Sequence, residues 1–370
     1  MNLSHWEYST WFKGIDYTIV GSGIVGLSCA LELRRKYPKA KIVVLERGIL
    51  PRGASTKNAG FACFGSISEI LYDLEQHSPE EVLALVKKRF EGIELLRSAL
   101  GDRALNFHQW GGHELFLDKD KELFEQCKAK LELVNDLLSP VFKSPAFVLQ
   151  PNTFGFSRVG PHYITNPFEG QIDTGLMMAA MQAKVQASGI QIFNAMEVLN
   201  HEEDAHGISV RTKDLDFRTE KLIVATNGFA AKWLESDLQP ARAQVLITKP
   251  IPDLQIQGTF HFDKGYYYFR NVEDRILFGG GRNLNFRGEE TEELGLTDLI
   301  QNELERLLHE VILPETSFEI DRRWSGIMGV GSKKKPIVKR QSDRVFYGVR
   351  LGGMGIAIGS SVGRDLAQLV

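Results

Sequence analysis

Residues 16–26 read DYTIVGSGIVG, and residues 41–46 follow as KIVVLE. Residues 16–20 give a short apolar strand, and Gly21, Gly23 and Gly26 form a G-x-G-x-x-G string behind it. A helical pattern then runs from Ile24 to Tyr37 and stops at Pro38. Residues 41–45 give a second apolar strand, closed by Glu46, twenty residues after Gly26. The glycine string alone is weak evidence; inside a complete β–turn–α–β unit with a terminal acid it points to a dinucleotide. Gly21 allows the tight turn, Gly23 lets backbone approach a pyrophosphate, and Gly26 lets helix pack on strand. Free N–H groups at the helix start favour phosphate, and Glu46 is spaced to accept from a ribose hydroxyl. The competing reading is a bare βα turn. Taken locally, the unit admits either NAD or FAD.

Outward from this unit, the chain has 370 residues, which suits about two domains at ~150 residues each. Its 44 basic and 47 acidic side chains leave a net charge of −3, so no basic stripe argues for nucleic acid. Cys29, Cys63 and Cys127 are too few and scattered for a disulfide framework or zinc site, and no histidines pair at metal-ligand spacing, so no metal is expected. Residues 1–12 lack a secretory pattern and no run approaches a membrane span; a cytoplasmic protein without an integral membrane segment is the expectation. The 35 glycines exceed the usual ~7% by about a third.

Further along, Ser78-Pro-Glu-Glu81 announces a helix by its capping box. A second helix is read over 118–138, then an irregular, proline-marked stretch to 167. Residues 173–188 read as a helix with Gly189 as C-cap, and 190–193, 197–199 and 222–225 as strands. Residues 240–278 alternate and are aromatic, as antiparallel strands do, and 297–312 is amphipathic. The C-terminal stretch is a strand at 345–349, a turn Gly352-Gly-Met-Gly355 and a helix over 356–369.

Several of these pieces together resemble the D-amino-acid-oxidase-like superfamily of FAD-dependent oxidoreductases, which includes glycine, sarcosine and γ-glutamylputrescine oxidases. The resemblance covers residues 16–370. It is carried by the loop Gly53-Ala-Ser-Thr-Lys-Asn-Ala-Gly60, by Gly170-Gln-Ile-Asp173 with Met177 and Val198, and by Val224-Ala-Thr-Asn-Gly-Phe229. Tyr268-Phe-Arg270 before Gly279-Gly-Gly281, Trp324-Ser-Gly326 and the Gly352–Gly355 turn complete it. The γ-glutamylputrescine-oxidase-like branch is the most similar.

The resemblance implies an α/β fold: a Rossmann-like FAD-binding domain interleaved with a substrate domain on an antiparallel sheet. The FAD domain is expected at 14–75, 168–235 and 324–370, and the substrate domain at 76–167 and 236–323. The implied FAD contacts are Gly21, Ser22, Gly23, Ile24 and Gly26; Glu46 and Arg47; Ser55, Thr56, Asn58, Ala59, Gly60 and Phe61. Val198, Ala225, Thr226 and Asn227, then Gly352, Gly353, Met354 and Gly355, complete the set. The last turn is read either as a helix N-terminus facing the pyrimidine end of the flavin or as a plain connection.

The chain also departs from the family. Met328 stands where glycine oxidases place an arginine on the substrate carboxylate, and Arg350 is a cation the sarcosine oxidases lack there. No cysteine lies over 324–331 and no histidine lies in the loop after Glu46, so FAD is expected to be non-covalent. Four side chains are candidates for catalysis. Lys57 either assists reaction with oxygen or pairs with phosphate or surface acids. Tyr268 and Arg270 either form an aromatic wall with an anion holder or belong to a sheet core. Arg350 either stabilises reduced flavin, binds an acidic substrate group or forms a structural ion pair. The expected reaction is hydride transfer from the carbon of a C–N bond in a small amine or amino acid to flavin N5, giving an imine that hydrolyses; oxygen or another acceptor takes the electrons. The alternatives are a flavin dehydrogenase of a 2-hydroxy acid or polyol phosphate, with His113 as base, and a flavin-binding protein without turnover.

Overall fold

The fold, described for residues 3–370 in a computed structural model, is built on two eight-stranded sheets. The first has a parallel centre in the order Val345–Val349, Asp216–Val224, Ile15–Val20, Ile42–Leu45, Gln191–Phe193. These strands are apolar on both faces because both faces are covered. Tyr17, Ile19, Ile42, Val44 and Ile223 join a core under the helices, whereas Val20, Val43, Leu45 and Val224 join one beneath the hairpin Val198–Asp204/Gly207–Thr212.

Helix Gly355–Leu369 lies between Ile24–Lys36 and Pro79–Leu100, and small residues set the spacing. A Cβ on Gly359 would sit 2.7 Å from the Ile24 side chain, and one on Gly363 2.6 Å from that of Ser28. The capping box of Pro79–Leu100 is formed in both directions, Glu81 N–H to Ser78 Oγ (3.3 Å) and Ser78 N–H to Glu81 Oε2 (3.2 Å). Helix Thr174–Ala187 starts at Asp173, which accepts from Leu176 N–H (2.8 Å), and Gly189 follows with φ +73°.

The second sheet runs Ile320–Val330, Gln239–Thr248, Arg275–Gly280, Tyr267–Val272, Thr259–Phe262, Gly112–Glu114, His162–Asn166, Val148–Pro151. All its pairs are antiparallel except Thr259–Phe262 with Gly112–Glu114. Helix Asp298–Leu307 covers its apolar face.

Some expectations are corrected. The helix read over 118–138 breaks at Lys130 (φ −101°, ψ 5°) into Lys121–Ala129 and Leu131–Leu138. The irregular stretch to 167 contains two strands; Pro151 ends the edge strand, where a missing N–H costs least. The boundary placed at 324 falls inside Ile320–Val330, which pairs with Gln239–Thr248 along its length.

Candidate active site

Strands Ile15–Val20 and Asp216–Val224 lie side by side in parallel, and the chain leaves the first for the neighbouring Ile42–Leu45 and the second for Gln239–Thr248 of the other sheet. A crevice opens at the carboxyl ends of strands at such a switch point. Here it is a cavity of about 750 Å³. Gly21 turns the chain at its mouth with φ +105°, and a Cβ there would lie 2.8 Å from the Ala225 carbonyl oxygen. A Cβ on Gly26 would collide with the Gly21 carbonyl, so the helix can approach the strand only with glycine there.

Glu46 is buried at the floor of this end. Its Oε2 accepts from Ser22 Oγ (2.9 Å) and its Oε1 from Gly48 N–H (3.0 Å). The Arg47 guanidinium lies 3.9 Å from the centre of the Phe229 ring, and Val198 borders the same end.

The 53–61 loop crosses the first helix start. Ser55 Oγ accepts from Ile24 N–H (3.0 Å), supplying the cap that Gly23 cannot. Thr56 Oγ1 donates to the Pro51 carbonyl (2.6 Å), and Asn58 Oδ1 accepts from Gly60 N–H (2.8 Å), which fixes the loop from within. Trp324 of the Trp-x-Gly string donates its indole N–H to the Lys57 carbonyl (2.9 Å). The half-buried Lys57 lines the cavity, and among the described residues its ammonium has neither a hydrogen bond nor an ion pair.

At the far end, Asn227 Oδ1 accepts from the N–H groups of Arg350 (3.1 Å) and Leu351 (3.3 Å), tying the last turn to the central strand. A Cβ added to Gly352, Gly353 or Gly355 would meet no atom within 4 Å, so all three face open cavity. Helix Gly355–Leu369 begins there with no side-chain cap and no acid in its first turn. Ala59, Ala225 and Met354 line the cavity too, as does Thr226, whose hydroxyl is buried without a partner. Two helix N-termini open on this cavity paved with glycine, an arrangement that fits a ligand with negative charge at two places, as FAD has.

Beside the groove, strands of the second sheet form a chamber wall. His261 and Tyr268 face one another across the strand pair, and both rings meet Phe61 edge-on, at 5.1 Å and 5.7 Å. Burial pushes the Tyr268 phenol up to about 12 and the His261 imidazole below its usual value, so His261 is held neutral. Among the described residues the His261 Nε2 has no hydrogen-bond partner; Glu169 Oε2 stands 4.0 Å away. Val245, Ala243, Gly326 and Met328 continue the wall to its opposite edge. As the alternation of residues 266–269 implies, Tyr266 and Tyr268 face the chamber while Tyr267 and Phe269 enter the core.

Five expected positions lie outside the cavity lining. Ser22, Gly26 and Thr56 stand behind the lining and shape it. Arg270 is not an anion holder: it is buried outside the cavity, where its guanidinium donates to the carbonyls of Ala59, Asn271 (3.1 Å) and Ile172 (3.0 Å). Arg350 borders the cavity, but its guanidinium is engaged by Asp237 Oδ2 (3.2 Å) and the carbonyls of Asp237 and Lys335. His113 lies outside the cavity among Phe260, Tyr163 and Phe154, its Nδ1 on Thr165 Oγ1 (2.8 Å), with burial pushing it down to about 4. His261 and Arg282 line the chamber and were not singled out from the sequence. The signal for His261 was present: it is the lone polar residue of Phe260-His-Phe262, so alternation turns it away from the core.

Among the described residues, no group of His, Cys, Asp and Glu could hold a metal ion, and no helix is long and apolar enough to cross a membrane.

The profile of the family described as DAO, FAD dependent oxidoreductase, matches residues 16–369. A probable oxidoreductase, OrdL, of Haemophilus influenzae is 20% identical over an alignment covering 98% of this chain and 84% of that protein. The L-proline dehydrogenase of P. horikoshii superposes with a TM-score of 0.75 at 19% identity, over 96% of this chain and 92% of that one. The glycine oxidase of Geobacillus kaustophilus gives 0.73 at 20% identity, over 96% and 94%.

Proposed function

The chain belongs to the DAO family of FAD-dependent oxidoreductases, and from that premise we propose that it oxidises the carbon–nitrogen single bond of a small amine or amino acid, holding FAD without a covalent link. FAD, when bound, supplies the acceptor for the hydride that leaves the carbon next to nitrogen. The observation that carries the reading is the continuity of the dinucleotide groove with an aromatic and apolar chamber walled by Phe61, His261, Tyr268, Val245 and Met328.

Gly21–Ile24 and the 53–60 loop would hold the pyrophosphate, Glu46 the ribose, and Gly352–Gly355 the other end of the cofactor. The wall holds the substrate carbon against the cofactor face and keeps water out. The amine must be neutral before hydride departs, and an apolar wall with a neutral His261 favours the free base over the ammonium. The imine product leaves and hydrolyses in water. Lys57 places positive charge where oxygen or another acceptor collects the electrons. Of the three thiols, only Cys63 reaches the cavity; burial raises its pKa well above the usual thiol value, which opposes attack on the flavin and supports non-covalent binding. Three free thiols also support a cytoplasmic setting. The order of motifs favours the glycine, sarcosine and γ-glutamylputrescine oxidase branch.

The test is direct. The purified protein should be yellow, and acid precipitation should release all the colour to the supernatant. Under anaerobic conditions amines or amino acids should bleach it. Bleaching by 2-hydroxy acids alone would assign the chain to alcohol chemistry. No bleaching by any of them would leave a flavin-binding protein without turnover.

A further inference from the structure

Two walls of the cavity reach the surface next to one another. One is helix Ile67–Gln76, whose Glu69 and half-exposed Tyr72 line the cavity. The other is the connection 331–336 between strands Ile320–Val330 and Ile337–Arg340. It lines the cavity with Gly331, Lys333 and Lys334 and exposes residues 332–335. Its backbone is held on both sides of Lys333 and Lys334. Asp237 Oδ2 accepts from Ser332 N–H (2.8 Å) and Ser332 Oγ (2.6 Å), and Arg350 Nε donates to the Lys335 carbonyl (3.0 Å). Between these anchors one side chain crosses to the helix. Lys334 Nζ lies 2.6 Å from Asp73 Oδ1, and among the described residues no hydrogen bond and no other ion pair joins the two elements.

The energetics of this pair suit a gate. The Lys334 side chain is 40% exposed and that of Asp73 only 6%. Lys334 can swing into water at little cost, because its ammonium is well hydrated there. Asp73 cannot follow: it lies one turn after Ile70 on the buried side of its helix. Release therefore leaves a buried carboxylate unpaired, which favours the closed state without any backbone having to move when it opens. Cys63 lines the same cavity just ahead of the helix, with its sulfur 3.9 Å from Met354 Sδ at the glycine turn. Cys29 and Cys127 are fully buried and lie outside the cavity lining.

We propose that the Lys334 side chain is a strap across the mouth of the chamber, latched by Asp73: closed, it keeps bulk water out, and its release lets substrate enter and product leave. This rests on the cavity being the site of the reaction proposed above, but opening can be measured without turnover.

The experiment follows alkylation of Cys63 by N-ethylmaleimide in the FAD-loaded protein, with peptide mass mapping to separate the three cysteines. In wild type the thiol is covered and its burial keeps it protonated, so labelling should be slow. Asp73→Asn and Lys334→Ala should each speed Cys63 labelling by about tenfold or more. The double variant should be no faster than Lys334→Ala, because both changes remove the same contact. Lys335→Ala, outside the lining, should label as wild type does. Cys29 and Cys127 should stay unlabelled throughout. Wild-type labelling of Cys63 in both single variants, or additive effects in the double, overturns the latch. A parallel rise at all three thiols overturns it too, since the pair then holds the fold rather than the mouth. If no amine, amino acid or hydroxy acid bleaches the flavin while Cys63 labelling still follows the pair, the proposed reaction fails and the strap stands.

Discussion

Replacing Gly353 by alanine separates the stability of the polypeptide from its fit to the cofactor. A Cβ at Gly353 meets no protein atom within 4 Å, and its φ is not positive, so the apoprotein has neither a clash nor backbone strain to absorb. Its Tm should stay within about a degree of wild type, since substitutions away from any packing feature typically cost less than ~0.5 kcal/mol. The methyl group does project into the groove where the cofactor's edge would lie. Overpacking of that kind costs ~1–3 kcal/mol, which is about five- to 150-fold in affinity. Gly26→Ala is the counterpart: its Cβ strikes the Gly21 carbonyl, so the apoprotein itself should lose about 1–2 kcal/mol after the ~1 kcal/mol gained in helix propensity. The assay is paired: thermal unfolding of the flavin-free proteins, and FAD titration by quenching of flavin fluorescence. Wild-type FAD affinity in a normally folded Gly353→Ala protein would refute the placement of the cofactor against the Gly352–Gly355 turn.

Three further outcomes are expected. Lys57→Met should slow reoxidation of the reduced enzyme by oxygen tenfold or more and leave anaerobic reduction by substrate within about twofold; unchanged reoxidation in stopped flow removes its role. Arg270→Met should destabilise the protein by ~3–5 kcal/mol in urea unfolding, because three buried carbonyls lose a charged donor; normal stability with a raised KM would restore it as a substrate contact. Glu169 is buried, which pushes its carboxyl up to about 8 from the ordinary 4.5. Between those values the folded chain keeps a proton that the unfolded chain has released, so this group's stability is complete at low pH and is lost as pH rises. Glu169→Gln keeps an acceptor for the Phe64 N–H (2.6 Å) and should gain several degrees of Tm over wild type as pH goes from about 5 to 8; a gap that does not change with pH would refute it.

The dinucleotide half was largely legible because local sequence determines local geometry there. A turn that must pass under a carbonyl needs glycine, and an apolar strand before it and an acid after it leave few alternatives. The chamber was less legible, because its residues are set by pairing between strands distant in sequence. Arg270 looks like a substrate contact until Tyr267–Val272 is paired on both sides and its side chain is seen to leave toward Ala59 and Ile172. His113 stands between Gly112 and Glu114 and His261 between two phenylalanines, both on strands, yet only His261, in register with Tyr268, faces the cavity. Arg282 reaches the cavity because Gly281 turns the chain off the end of strand Arg275–Gly280, and no motif encodes that turn.

The packing of helix Gly355–Leu369 onto Ile24–Lys36 also sets the order of events in synthesis. Ser28 and Ser360 touch across 332 residues of sequence (3.5 Å), and the N-termini of both their helices line the cavity. While the ribosome is still making the middle of the chain, the first β–α–β unit can fold but has only one of the two helix N-termini that flank the groove. Full-strength capture of FAD therefore waits for the final helix to dock. A chain cut short before residue 355 forfeits the cofactor along with the helix, so loss of colour reports incomplete synthesis as well as damage at the glycine turn.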